Sequence, residues 1–460
     1  MLVTRRLIDT FKAYVRRTDI VRLPAILLFS LAVSGQAQTV DEAANQQEAD
    51  VGTSQAETEA AQAEAETEQT QTDAEQQEAI EEDIDGSLDD AKGSAEVTEE
   101  QRGLSLKWDV RGGYSGSDTK ERDDSETKDD LWRARYRFTG TVGLFPYLRA
   151  EVRMAGLCSE VECEPNFVLT DYLPTNTSME DGDVTLDKAF LNWYRLEKFS
   201  IVAGRMQTKF VALGGVYAKS LDRNTGNNTN VNWTDGAHFV YKADNGWASH
   251  LIAQHNAPEG ATEVRRGPLD FKDDNARVSY FFALDNKERT PYFLQRGLDI
   301  SYLPSALLKD GALTGRREDY YGIVVRSSNR WPRRDDDVRL RVAAEIGYAP
   351  ETQTRAAAGL AGDGDADGLA WNIVLSLMDF APDHSIGVNY GEVGAGWLLS
   401  PQFRQNESLS EIRYQWRRSR GLALDVRVRR RTELEQLVSS TRKQDELDFF
   451  VRLTLGGVIW

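Results

Sequence analysis

The sequence predicts an all-β protein: a membrane-spanning, antiparallel, up-and-down β-barrel of about sixteen strands. An export signal and an acidic low-complexity segment precede it. Three observations predict this fold. From Leu104 onward apolar and polar residues alternate with a period of two, over runs of roughly 10 to 14 residues, longer than globular strands. The connections between these runs are short and long by turns. No run of apolar residues long enough for a membrane helix follows Val33, so strands are left to cross a bilayer.

The chain opens on a basic stretch, Arg5, Arg6, Lys12, Arg16, Arg17 and Arg22, followed by a short apolar core from Leu23 to Val33. Gly35-Gln36-Ala37 supplies small residues before a cleavage point, so residues 1–37 read as a signal peptide. No lipobox cysteine follows the core, which argues against a lipid anchor. The formal net charge is −19, and residues 40–102 alone hold 21 Asp or Glu against Lys92 and Arg102. The acidity therefore belongs to that segment, and it gives the remainder no character as a partner of nucleic acid. Residues 38–102, almost free of aromatics, cannot bury enough apolar area to offset their ordering entropy. They read as an acidic periplasmic linker, with a coiled coil as the sharper alternative. Residues 103–460 form the barrel.

Each strand is justified by its alternation. In Leu131–Leu144, Trp132, Tyr136, Phe138, Val142 and Leu144 fall on one face, and Arg133, Arg135 and Arg137 on the other. Leu422–Arg431 and Val338–Tyr348 repeat the pattern. The strands are expected near 104–114, 131–144, 147–157, 184–196, 199–208, 236–243, 247–256, 275–285, 296–303, 319–329, 336–348, 369–380, 385–397, 408–418, 422–433 and 446–460. Short turns such as Phe145-Pro146 and Asp244-Asn245-Gly246 alternate with long loops at 115–130, 158–183, 209–235, 257–274, 304–318 and 349–368. Lys188, Phe190 and Asn192 share a face, so the register of the fourth and fifth strands is left open. In the last strand the apolar parity Leu447, Phe449, Val451, Leu453, Leu455 excludes Trp460. A bulge at Gly456-Gly457 would bring Val458 and Trp460 to the lipid face.

Lipid-facing positions must be apolar, whereas a wet lumen can hold charge. By parity the lumen residues are Arg111, Arg133, Arg135, Arg137, Arg149, Arg153, Arg277, Arg339, Arg341, Arg413, Arg417, Arg427, Arg429 and Arg431, with Glu151, Glu345, Glu411 and Asp425 among them. A pore so lined would be weakly anion-selective. The bland alternative is that the arginines pair with lumen acids and with lipopolysaccharide phosphates and merely line the wall.

Certain stretches resemble a known family. Leu186-Asp187-Lys188-Ala189-Phe190-Leu191-Asn192-Trp193-Tyr194 followed by Phe199-Ser200-Ile201-Val202-Ala203-Gly204-Arg205-Met206 resembles the hairpin, ending in Gly-Arg, of Gram-negative outer-membrane porins. Asn232-Trp233-Thr234-Asp235-Gly236-Ala237-His238-Phe239-Val240-Tyr241 resembles the next strand, and the chain ends on an aromatic, Trp460. The similarity spans roughly 104–460. It implies a sixteen-stranded channel in the cell outer membrane of a Gram-negative bacterium, passing small hydrophilic solutes or anions, often as a homotrimer. It implies contact with the lipid bilayer and lipopolysaccharide, and engagement of the barrel-assembly machinery by the strand ending in Trp460. It also implies that the loop after the fifth strand folds into the pore, so that Lys209, Lys219, Asp222 and Arg223 form the constriction.

Other chemistry is weak. Cys158 and Cys163 are spaced to close a small disulfide in an oxidising compartment. Asp363-Gly364-Asp365-Ala366-Asp367-Gly368 starts like a calcium loop, but its twelfth position is Val374 rather than Glu. His250 and His255 are five apart on a strand and face opposite sides. No metal site, cofactor or catalytic motif is read from the chain. The alternatives to a channel are a structural outer-membrane protein tethering the envelope through its acidic segment, and, third, a barrel enzyme.

Overall fold

The structure is a computed structural model. It describes residues 103–120, 125–168, 181–196, 198–206, 234–255, 269, 278–286, 293–311, 315–332, 339–400, 403–419, 421–438 and 445–459. The expected signal peptide, the acidic segment, the constriction residues Lys209, Lys219, Asp222 and Arg223, and also Arg277 and Trp460, lie outside the described residues.

The strands are β1 (Leu104–Lys120), β2 (Glu126–Phe145), β3 (Leu148–Ser159), β4 (Asn166–Phe167), β5 (Asp183–Leu196), β6 (Phe199–Met206), β7 (Thr234–Lys242), β8 (Trp247–His255), β9 (Val278–Asn286), β10 (Phe293–Leu308), β11 (Arg317–Pro332), β12 (Arg339–Tyr348), β13 (Leu369–Ala381), β14 (His384–Val393), β15 (Glu407–Ser419), β16 (Leu422–Glu433) and β17 (Asp445–Val458). The two residues of β4 add in parallel to β5 inside a loop. The other sixteen pair antiparallel with their neighbours in sequence, and β17 returns to β1 from Lys107↔Val458 to Lys120↔Asp445. The ring is closed, so among the described residues none of its sixteen antiparallel strands is left as an edge with unpaired backbone groups.

The alternation builds two walls. Trp132, Phe138, Val142 and Leu144 of β2 point outward, while Arg135 and Arg137 between them are buried within. Ile412 of β15 is 55% exposed and lies between Glu411 and Arg413, both almost wholly buried. Aromatic pairs mark both ends of the outer wall. Tyr280, Tyr302 and Tyr321 stack in a row near the long-loop end, with ring centroids 6.3 and 4.9 Å apart. At the short-turn end Phe145 stacks with Tyr147, and Phe199 meets Tyr241 at a tilt with centroids 4.9 Å apart. An apolar outer band between two aromatic belts is the signature of a barrel that crosses a bilayer. Leu375, exposed near the middle of β13, gives a direct check. Leu375→Arg should cost about 2–4 kcal/mol, measured as urea unfolding of the refolded protein in lipid vesicles.

The structure corrects several expectations. The long loop at 115–130 shrinks to five residues because β1 and β2 continue pairing to Lys120↔Glu126. Polar cross-strand contacts hold this extension: Tyr114 donates to Asp130 at 3.0 Å and Lys128 meets Asp118 at 3.1 Å. Both faces are polar there, so the period-two signal fades although the strands persist. The expected loop 304–318 likewise shortens, since β10 continues to Leu308 past an irregularity between Leu303 and Leu307, where Ser305 has φ 51°. The strand expected at 385–397 ends at Val393. In β5 the poor alternation has a local cause: a register shift opposite Arg153/Met154 leaves Asp187 unpaired in the ladder. Pairing through Gly456 and Gly457 is unbroken, so the expected parity-shifting bulge does not form.

Candidate functional site

The inner wall from β15 round through the β17–β1 seam to β5 holds a continuous charged network. Its registers place opposite charges face to face: Asp425↔Arg452, Arg429↔Asp448 and Arg431↔Glu446 across β16 and β17. Asp448 is the hub. Its carboxylate accepts from Arg427 Nη2 at 3.1 Å and Arg429 Nε at 2.6 Å, and lies 3.7 Å from Arg431 Nη1. Arg431 also meets Glu407 at 3.1 Å and Glu446 at 3.3 Å. Asp425 accepts from Arg452 at 2.9 Å and lies 3.6 Å from Arg413. Glu411 lies 3.9 Å from Arg427. The Phe450 ring sits between the guanidinium groups of Arg427 and Arg452, 5.0 and 5.8 Å from its centroid, an added cation–π attraction.

Beyond the seam the pattern continues. Asp109 lies 3.8 Å from Arg111 and 3.6 Å from Arg135. Asp187, pushed inward by its bulge, accepts from Arg153 Nε at 2.8 Å and lies 3.2 Å from Arg137. Lys188 beside it donates to Glu151 at 3.1 Å. Arg133 Nε meets Asp181 at 2.8 Å near the loop end. On the opposite side Arg326 pairs with Asp299 and lies 3.7 Å from Glu345.

Eight of the sequence-predicted lumen arginines, Arg111, Arg135, Arg137, Arg153, Arg413, Arg427, Arg429 and Arg431, are therefore buried on the inner wall and paired with acids. Arg149 is exposed near the short-turn end, and Arg417 donates to Gln415 at 2.9 Å. Arg341 has inward parity and is half-buried; the side chain of Arg339 lies outside the described set. Sequence reading missed Asp109, Asp187, Glu446, Asp448 and Arg452. The parity of β17 could have shown the last three, since they alternate with its apolar residues. It also missed a row on β7–β9, where His238 Nε2 and His250 Nδ1 are 3.0 Å apart and His250 Nε2 lies 3.1 Å from Asp285 Oδ1. These meet diagonally through the register Val240↔His250 and Ala248↔Asp285, which sequence spacing does not reveal.

The loops at the other end of the strands form a cap. Leu360, Ala366 and Ala395 are buried together against Ala358 and Leu437. The acidic run 363–367 serves this cap: Asp365 pairs with Lys309 at 2.9 Å, and Asp367 accepts the Leu369 N–H at 2.9 Å. Among the described residues no group of three His, Cys, Asp or Glu could hold a metal ion. Cys158 and Cys163 are bonded, closing a short loop after β3. Arg355 clasps Glu435, its Nη1 3.3 Å from Oε1. The hydrogen bond from Arg355 holds the Glu435 carboxyl below its ordinary 4.5. A lowered carboxylate stabilises the fold above its unfolded value and ceases to do so as pH falls through the lowered one. Hydrogen exchange in 434–438, corrected for intrinsic rates, should therefore quicken only in that acid range, and Glu435→Gln should remove the step.

A closed sixteen-stranded transmembrane barrel, apolar outside and charged within, has the architecture of the outer-membrane porins. The solved structures it resembles include Pseudomonas putida OprB, with a TM-score of 0.52 and 11% identity, covering 77% of this chain and 94% of that one. Pseudomonas aeruginosa OccK8 (OprE) superposes with a TM-score of 0.48 and 11% identity, covering 78% of this chain and 98% of that one. No protein-family model and no curated protein matches the chain.

Proposed function

We propose that the protein is an outer-membrane diffusion channel for small hydrophilic solutes, with a weak preference for anions. The observation that supports it best is the closed ring of sixteen strands with a charged inner wall. Barrel diameter grows with strand number, and about sixteen strands leave an aqueous channel where eight leave only a packed interior. The preference follows from the balance of the wall. Along the described arc from β15 through the seam to β5, Arg111, Arg135, Arg137, Arg153, Arg413, Arg427, Arg429, Arg431 and Arg452 face Asp109, Asp187, Glu407, Glu411, Asp425, Glu446 and Asp448, nine cations against seven anions, so positive charge is in excess on that arc. Fixed charge of one sign in a narrow lumen enriches its counter-ions.

Swelling of proteoliposomes tests both halves. A small sugar acid should enter faster than a neutral sugar of similar size, and that faster than an amino sugar. Swelling no quicker than in protein-free liposomes removes the channel. Equal rates for the three remove the preference.

A further inference from the structure

Residues 394–400 and 403–406 lie in sequence between β14 and β15, yet the apolar side chains among them lie among the inward residues of β10–β15. Trp397, Leu398, Leu399 and Phe403 are buried with Leu303, Leu307, Val324 and Leu409. Backbone groups pin the segment at its start: Gly394 N–H donates to Leu369 O at 2.8 Å and Gly396 N–H to Asp367 O at 2.6 Å. Tyr320 of β11, itself wholly buried, both donates to Gly396 O and accepts from the Leu398 N–H, each at 2.9 Å. Gln353 Nε2 donates to Ala395 O at 2.6 Å. At the far end Arg404 donates to Glu446 of the charged wall at 2.9 Å.

The wall is cut to receive it. Gly322 of β11 and Gly347 of β12 stand where the strap crosses. A Cβ at Gly322 would lie 2.3 Å from Leu399 Cδ1, and one at Gly347 would lie 2.8 Å from Trp397 Cη2. Glycine in the middle of a strand weakens it unless something must approach closely, and here two apolar side chains do.

We propose that this strap is a built-in constriction. It fills the β10–β15 side of the lumen at the long-loop end and confines permeating solutes to the arginine-lined side. The proposal rests on the channel reading above. It makes Trp397, Leu398, Leu399 and Phe403 determinants of pore size, a role expected from the sequence for the loop after the fifth strand.

The test compares the full-length protein with a variant in which residues 395–403 are replaced by a short Gly-Ser link. Single-channel conductance and the largest polyethylene glycol that still enters are read in planar bilayers. Trp397→Ala with Leu399→Ala serves as the second variant, should the replacement not yield a heat-modifiable barrel. Removing the strap should raise conductance about twofold or more and admit larger polymers. Conduction by the variant alone would also support the strap as an obstruction. A folded variant with the conductance and size limit of the unaltered protein would overturn the proposal while leaving the channel intact. Silence from both folded proteins would instead overturn the channel reading and the strap with it.

Discussion

Asp448→Ala should destabilise the barrel by about 3–5 kcal/mol, because it leaves buried guanidinium groups without their shared anion. Asp448 accepts from Arg427 and Arg429 and lies near Arg431, and none of these four side chains is more than 1% exposed. The network is worth more broken than built: taking the ions out of water costs much of what their attraction returns, but removing one partner forfeits the return and keeps the cost. Equilibrium unfolding in urea, followed by tryptophan fluorescence in lipid vesicles, reads the loss directly. Asp448→Asn keeps the shape and removes the charge, and should lose nearly as much. A cost within about 0.5 kcal/mol, as for an ordinary surface change, would mean that water already satisfies these arginines.

Gly204→Val should prevent most of the chain from reaching the heat-modifiable folded form. Gly204 has φ +123°, and a Cβ there would lie 2.4 Å from Ala189 O and 3.0 Å from Phe190 Cα. Backbone, not a flexible side chain, is in the way. A β-branched residue at such a φ carries strain of about 1–3 kcal/mol before the clash is counted. The position also sets the next residue: Arg205 grips Asp235 at 2.9 and 3.1 Å and donates to Leu186 O at 3.2 Å. The Gly-Arg ending that gave the hairpin its family resemblance thus has a physical reason. Glycine lets β6 approach β5, and arginine ties β6 to β7 and back to β5. Gly204→Ala should fold in reduced yield, and normal yield from the valine variant would contradict the account.

The barrel was legible because each membrane strand must hide one face in lipid. That requirement writes period-two alternation over long runs, and most of the runs were readable from it, the fourth and fifth least so because Lys188, Phe190 and Asn192 share a face. Legibility ended where the requirement ends. Beyond the bilayer β1 and β2 carry polar residues on both faces, and their extension went unread. Trp397 is apolar because it packs inside the barrel, and so it imitated the end of a continuing strand. Parity named the wall of Arg427, Arg429 and Arg431 but not its partners. Facing Arg429 with Asp448 requires the register between β16 and β17, and bringing His238 to His250 and Asp285 requires three strands in register. The break in alternation at Asp187 was visible in the sequence. Its meaning, an extra residue turned inward to meet Arg153 and Arg137, came only with the pairing of β3 and β5.

Planar-bilayer recording of the refolded protein across a KCl gradient tests the central claim most directly. A water-filled barrel with excess arginine on its wall predicts stable ohmic steps and a reversal potential displaced toward that of chloride. Absence of steps from protein that runs as a folded, heat-modifiable barrel would contradict it.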